Sequence, residues 1–131
     1  LDLNGFKAIN DTHGHAAGDA ILRAAAGRIA DAVRDGDCAA RLGGDEFAVI
    51  APAVLSAEVA LSIAGRLAAS ITRPIVLDGR SHQVGTGIGI ALVRSGEIHS
   101  AELVRRADIA LYAAKRGNGE PWRLYAPELE A

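Results

Sequence analysis

The run His82 to Leu92, HQVGTGIGIAL, most narrowly constrains how this chain can fold. Successive strand residues point to opposite faces. Val84, Thr86, Ile88, Ile90 and Leu92 therefore share one face, and Gly85, Gly87, Gly89 and Ala91 the other. A face with almost no side chains lets a helix or another backbone approach closely. The GTGIG segment is not a dinucleotide-binding loop, because no helix follows it and the spacing is wrong.

Around this strand the chain alternates between helical and extended patterns. Leu1 to Leu3 reads as the end of a strand already in progress, so a piece of a longer polypeptide with a truncated first strand is expected. A short helix follows, with Phe6 and Ile9 on one face and Gly14 as its stop. Ala16 to Arg34 is predicted as a longer helix, with Ile21, Ala25, Ile29 and Val33 recurring every four residues. Cys38 to Leu42 and Glu46 to Ala51 flank Gly43-Gly44-Asp45 as a β-hairpin. Ala57 to Ile71 is helical, and a second hairpin is predicted around Asp78-Gly79, entered at an edge through Pro74. Ser100 to Arg116 is the last helix, with Ser100 as N-cap. Trp122 to Tyr125 is a final short strand. The expected class is an α/β, or α+β, sandwich with a mixed sheet.

Composition narrows function chiefly by exclusion. The 131 residues fit one domain with a real core. A formal net charge of -2 gives no field for non-specific nucleic-acid binding, so no nucleic-acid partner is expected. The single cysteine, Cys38, excludes an internal disulfide, points to a reducing compartment and is expected to be a small buried residue. No apolar run approaches the ~18–20 residues of a membrane span, and no signal-peptide pattern is present.

Two clusters carry chemistry. At ARLGGDEFAVI two glycines leave a turn free of side chains, and Asp45 and Glu46 stand on its lip. Carboxylates at a shallow site suit Mg²⁺, a hard ion that shares oxygen ligands with substrate phosphates, and Asp2 is the natural partner. An acidic, solvated turn would look the same. In NGFKAINDTHGHAAGD, Lys7, Asn10, Asp11, His15 and Asp19 crowd into a short region. Backbone N–H groups at a helix start, with a lysine, can hold a polyphosphate. Asn with Asp can read a guanine edge, although both residues also serve as ordinary helix-end groups. His13 and His15 lack a third ligand at metal spacing, so packing or turn hydrogen bonding is expected. Lys115 and Arg116 suit a helix C-terminus for dipole reasons alone, and Arg34 is equally ambiguous.

In order and spacing, these clusters resemble the GGDEF family of diguanylate cyclase domains. Gly43 to Phe47 reads GGDEF without a change, FKAINDTHGHAAGD is similar to the family's upstream block, and ADIALYAAK to its last helix. The resemblance runs from Leu1 to about Tyr125, so residues 1–126 are expected to form the domain and 127–131 to begin a linker. It implies a central, largely antiparallel sheet flanked by helices, related to the palm of nucleotidyl cyclases and polymerases. It also implies condensation of two GTP molecules to cyclic di-GMP and pyrophosphate by two-metal phosphoryl transfer across a homodimer. A cytoplasmic domain is implied, whose parent protein can be membrane-anchored or fused to sensor or EAL domains. The alternative is a GTP-binding or cyclic di-GMP-sensing regulatory domain of a composite GGDEF-EAL protein.

The resemblance also assigns roles by position. Asp2 and Asp45 would hold Mg²⁺ or Mn²⁺, with the Leu3 carbonyl as a backbone ligand. Glu46 would help ionise the attacking hydroxyl or hold a metal. Asn10 and Asp19 would read guanine. Lys7, Lys115 and backbone amides near Gly5 and Phe6 would hold phosphates. Arg34 and Asp37 match a product-inhibition motif, RxxD. This chain departs from the family at three places: Asn4 replaces a second Asp, Gly87 replaces a common Ser, and Arg116-Gly117-Asn118 is one residue shorter than usual. The shortening leaves Arg116 or Arg123 to replace a phosphate-contacting Arg.

Overall fold

The computed structural model describes residues 1–93 and 98–130. The elements in chain order are β1 (Asp2–Asn4), α1 (Phe6–His13), α2 (His15–Ala32), β2 (Cys38–Gly43), β3 (Glu46–Ile50) and α3 (Ala57–Ile71). They continue with β4 (Ile75–Leu77), β5 (Arg80–His82), β6 (Gly85–Ile90), α4 (Ser100–Arg116), β7 (Trp122–Leu124) and a 3₁₀ turn at Pro127–Glu130. Five strands form one sheet in the order β2-β3-β1-β6-β7. Its pairings are antiparallel except β6 with β7, which is parallel. The expected mixed, largely antiparallel sheet is therefore present. β4 and β5 pair only with each other, as a separate ribbon whose turn places Asp78 and Gly79 at φ 49° and 76°.

The two faces of β6 explain the layering. Ile88 and Val84 are buried in the main core with Leu3, Phe47, Ile21, Ala25 and Ile29, and with Ala64, Leu67 and Ile71 of α3. Each large aliphatic side chain buried there contributes about 1.5–3 kcal/mol. The glycine face lies under α4. A Cβ on Gly89 would come within 2.0 Å of the Ala107 carbonyl oxygen and 2.4 Å of the Leu111 nitrogen, so only glycine permits this approach. Trp122, one residue from this face on β7, instead meets Gly65 of α3 on the other side.

Local chemistry sets several boundaries. Ser56 caps α3, its Oγ accepting from the Val59 N–H at 3.2 Å. The far end of α3 is held by Arg28 of α2, whose guanidinium donates to the Ile71 carbonyl at 3.1 Å, the Pro74 carbonyl at 2.9 Å and the Arg73 carbonyl. This side chain satisfies the Ile71 carbonyl that the helix end leaves open, and two carbonyls of the segment that follows.

Four expectations are corrected. The N-cap of α4 is His99, without a side-chain capping bond, and Ser100 is already helical. The long helix runs from His15 to Ala32, because Val33 turns to extended backbone. The strand expected from His82 is divided: His82 pairs in the small ribbon and β6 starts at Gly85. Cys38 is exposed, since β2 is an edge strand whose residues are all exposed. His13 behaves as a packing residue, its ring edge-on to His82 at 4.9 Å between centroids. Among the described residues, no helix is long and apolar enough to cross a membrane.

Candidate active site

The site begins with a strand register. Phe47 N–H donates to the Leu1 carbonyl at 2.9 Å, and Leu3 N–H donates to the Asp45 carbonyl at 3.1 Å. Between these bonds Asp2 stands directly opposite Glu46. Directly opposed residues of an antiparallel pair project to the same face. On its other side Asp2 is opposite Gly87 of β6. Asp2, Glu46 and Gly87 therefore share the face covered by α4, while Leu3 and Phe47 enter the core behind it.

Asp45 sits in the turn itself, where strand alternation no longer dictates direction. Gly44 has φ 51°, in the left-handed region where glycine is favoured, and Arg41 Nε donates to its carbonyl at 2.9 Å. The pairing brings Asp45 alongside Leu3, half-buried, one residue from the Asp2–Glu46 pair.

The Asp2 carboxylate is in an unusual state. Its side chain is only 10% exposed. One oxygen, Oδ2, is paired with the Lys115 ammonium at the end of α4. The other, Oδ1, is buried and has no hydrogen-bond partner. A buried acceptor left unpaired is costly, so this oxygen calls for a partner. The strand holding it is fixed: Thr86 Oγ1 donates to the Asp2 carbonyl at 2.7 Å. Gly87 makes the cradle. A Cβ there would lie 3.1 Å from Leu111 Cδ1, 3.3 Å from Asp2 Oδ1 and 3.4 Å from Lys115 Cγ.

These residues fit a divalent ion. Oxygen donors from Asp2, Asp45 and Glu46 match the hard-ion preference of Mg²⁺ or Mn²⁺. Among the described residues no three or more His, Cys, Asp or Glu side chains stand close enough together to hold a metal ion by themselves. Mg²⁺ needs fewer protein ligands than that, because it keeps water and substrate oxygens in its shell.

β1 leads into α1 through Gly5, which caps the helix at φ 84° without a side-chain cap. Lys7 is exposed on the first turn. Asn10 lies against α2 at Gly18, where a Cβ would fall 1.8 Å from Asn10 Oδ1 and 3.4 Å from Phe6 Cε1. Asp19 follows at once and is exposed. Gly18 thus seats both Asn10 and Phe6, a role not read from the sequence; its signal was a glycine inside a helical pattern.

The two arginines near the end of α4 have different surroundings. The Arg116 guanidinium is 5.3 Å from the Tyr112 ring centroid and lines a depression between α4 and the Pro127–Glu130 turn. None of Asp2, Asp45, Glu46 and Lys115 lines that depression. Arg123 pairs with Gly89 in the parallel register, hence on the α4 face, and its Nη1 lies 4.0 Å from where a Gly117 Cβ would be.

Arg34 and Asp37 form a separate feature. Arg34 N–H donates to Asp37 Oδ2 at 3.1 Å, and Asp37 N–H to the Arg34 carbonyl at 3.0 Å. The guanidinium Nε is 3.8 Å from the same carboxylate oxygen; the Asp37 side chain is 4% exposed and that of Arg34 48%. The six residues of β2 separate this turn from Asp45, roughly 20 Å of strand. Arg34 also lines a hollow with Glu58, Ser62 and Arg66.

A mixed sheet with helices on both faces, and acids converging on its central strands, is a palm-like α/β domain. Residues 1–121 match the family model described as "Diguanylate cyclase, GGDEF domain". The chain is 41% identical over 132 residues to the probable diguanylate cyclase DgcE of Escherichia coli K12, covering 100% of this chain but 12% of that protein. Among solved structures it is similar to a form of Pseudomonas aeruginosa TpbB (YfiN) comprising only the GGDEF domain. That match has a TM-score of 0.89 and 42% identity, covering 98% of this chain and 76% of the other. The GGDEF domain of Caulobacter crescentus DgcB, solved in complex with c-di-GMP, matches with a TM-score of 0.82 and 31% identity, covering 99% and 75%. The chain belongs to the GGDEF family of diguanylate cyclase domains.

Proposed function

We propose that this domain condenses two molecules of GTP into cyclic di-GMP, with release of two pyrophosphates. The carrying observation is the register that sets Asp2 against Glu46, with one buried Asp2 oxygen left unpartnered. In each of two steps the 3′-oxygen of one GTP bonds to the α-phosphorus of the other, and the bond to the β-phosphate oxygen breaks. Two copies of the domain face each other, each presenting one nucleotide, so that dimerisation supplies the alignment.

Asp2 and Asp45, with the Leu3 carbonyl, would hold Mg²⁺ or Mn²⁺. The bound ion offsets phosphate charge and stabilises the leaving oxygen. Glu46, exposed beside Asp2, accepts the proton of the attacking 3′-hydroxyl. Asn10 and Asp19 orient guanine, Asn10 through its amide and Asp19 by accepting from paired N–H groups. Lys7, Lys115 and the backbone amides of Gly5 and Phe6 bind the β- and γ-phosphates. Arg123, on the sheet face that carries Asp2, adds a guanidinium on that side; Arg116 is engaged with Tyr112. Arg34 and Asp37 bind the product away from the reacting atoms, which gives feedback.

The test is incubation of the full-length protein with GTP and Mg²⁺, with cyclic di-GMP measured directly. Product formation that is lost in Asp45→Ala supports the proposal. GTP bound tightly without turnover, but altering the activity of a fused domain, would replace it with the regulatory reading.

A further inference from the structure

We infer that Lys115 is an exchangeable counter-ion: its ammonium pairs with Asp2 at the cation position, and it moves to the phosphates of the incoming nucleoside triphosphate when Asp2 takes a divalent ion. This inference rests on the proposed metal role of Asp2.

Asp2 is the fixed partner and Lys115 the mobile one. Asp2 is paired by strands on both sides, its carbonyl is held by Thr86, and its side chain is nine-tenths buried. Lys115 is 42% exposed in its side chain and sits in the last turn of α4, beyond which the chain leaves the helix at Gly117. Its stem runs over Gly87, where the missing Cβ gives it room. A long, flexible lysine that is partly exposed can change partners without moving the helix.

The exchange follows from charge. A buried carboxylate needs a cation, and in the structure Lys115 supplies one to Oδ2 only. Asp2 cannot keep the ammonium in place and accept a divalent ion beside it, because like charges at contact distance repel strongly where water is scarce. A divalent ion arriving alone must displace the ammonium, and the other carboxylates beside Asp2, Glu46 and Asp45, are drawn to the same ion. A triphosphate provides the ammonium with another anion. Lys115 therefore couples the two ligands: each binds more tightly when the other is present, by the same factor in both directions.

The experiment uses the full-length protein and Mn²⁺ as the probe, with bound ion counted by electron paramagnetic resonance. Titrations are run with and without a non-hydrolysable GTP analogue. Without nucleotide, Lys115→Met should bind Mn²⁺ about tenfold more tightly than wild type, and the gain in Mn²⁺ affinity on adding the analogue should shrink by a similar factor. Lys115→Arg, which keeps the charge, should bind Mn²⁺ like wild type. Equal or weaker Mn²⁺ binding by Lys115→Met, with unchanged coupling, overturns the inference. If that variant does not fold, Lys115→Gln is read in the same way. Asp2→Asn separates the two levels. Loss of Mn²⁺ binding in Asp2→Asn together with no change in Lys115→Met rejects the exchange alone. Mn²⁺ binding by Asp2→Asn that matches wild type rejects the metal assignment itself.

Discussion

Asp2 and Glu46 face each other across the β1–β3 pair, flanked on either side by backbone hydrogen bonds of 2.9 and 3.1 Å. Their carboxylates occupy the same face of the sheet, but their surroundings differ: Asp2 is buried against Lys115 and Glu46 is exposed. Two acids so placed can divide the work, one holding a cation and the other exchanging a proton with solvent and substrate.

That division predicts different failures. Glu46→Gln keeps shape and removes the proton acceptor, so cyclic di-GMP formation should fall about 10²–10⁴-fold in kcat, with metal binding and melting temperature little changed. Asp2→Asn should abolish turnover and also weaken Mn²⁺ binding. Equal loss of metal by both variants would contradict the assignment.

Gly18 gives a prediction in which stability and binding part company. Alanine in a helix interior is favoured over glycine by about 0.5–1 kcal/mol. The added methyl meets Asn10 Oδ1, the end of a side chain that can swing away. Gly18→Ala should therefore melt no lower than wild type, yet bind GTP about tenfold more weakly. Paired thermal-melt and calorimetric measurements test this, and unchanged GTP affinity would remove Asn10 from the guanine site.

Gly89 tests the layering. Its substitution by alanine drives a methyl into the backbone of α4 at Ala107 and Leu111, which cannot yield without moving the helix. Gly89→Ala should destabilise the domain by about 3 kcal/mol or more in urea unfolding. Gly27→Ala in α2, where nothing lies within 4 Å of the new methyl, should instead stabilise it by about 0.5–1 kcal/mol.

Acid should loosen the C-terminal turn from α4, but weakly. Glu102 is hydrogen-bonded by Arg105 and Arg106, which hold its carboxyl down to about 2, and Glu130 is lowered through Arg105 and Tyr125. A carboxylate with a depressed folded-state pKa stabilises the fold above its ordinary value near 4.5. That contribution is lost as pH falls from there toward about 2. Both groups are solvent-exposed, so the effect is small. The melting difference between wild type and Glu102→Gln should be present at neutral pH and vanish toward pH 2; a difference that grows on acidification would be the wrong sign.

The Arg34 turn separates binding from folding. Asp37 is committed to the Arg34 backbone, whereas the Arg34 side chain is about half exposed. Arg34→Ala should leave the melt nearly unchanged and weaken cyclic di-GMP binding at least tenfold by calorimetry. Wild-type affinity in that variant would discard the product site.

The sequence by itself determined what depends on near neighbours. The period of apolar residues located α3 at both ends, Ala57 and Ile71. Gly43-Gly44-Asp45 announced the first hairpin and Asp78-Gly79 the second. The bare face of β6 announced a close-packed partner. Motif order also put forward the acids and the lysines as candidates. Tertiary structure alone decided where distant segments meet. The strand order, the parallel docking of β7, the detachment of β4 and β5, and the exposure of Cys38 depend on pairings that local periodicity does not encode. So does the choice of Glu46 rather than Asp45 as the residue opposite Asp2, since a one-residue slip would reverse every face. Lys115 looked like a helix-end cation or a phosphate ligand; only the packing of α4 over Gly87 set its charge on Asp2.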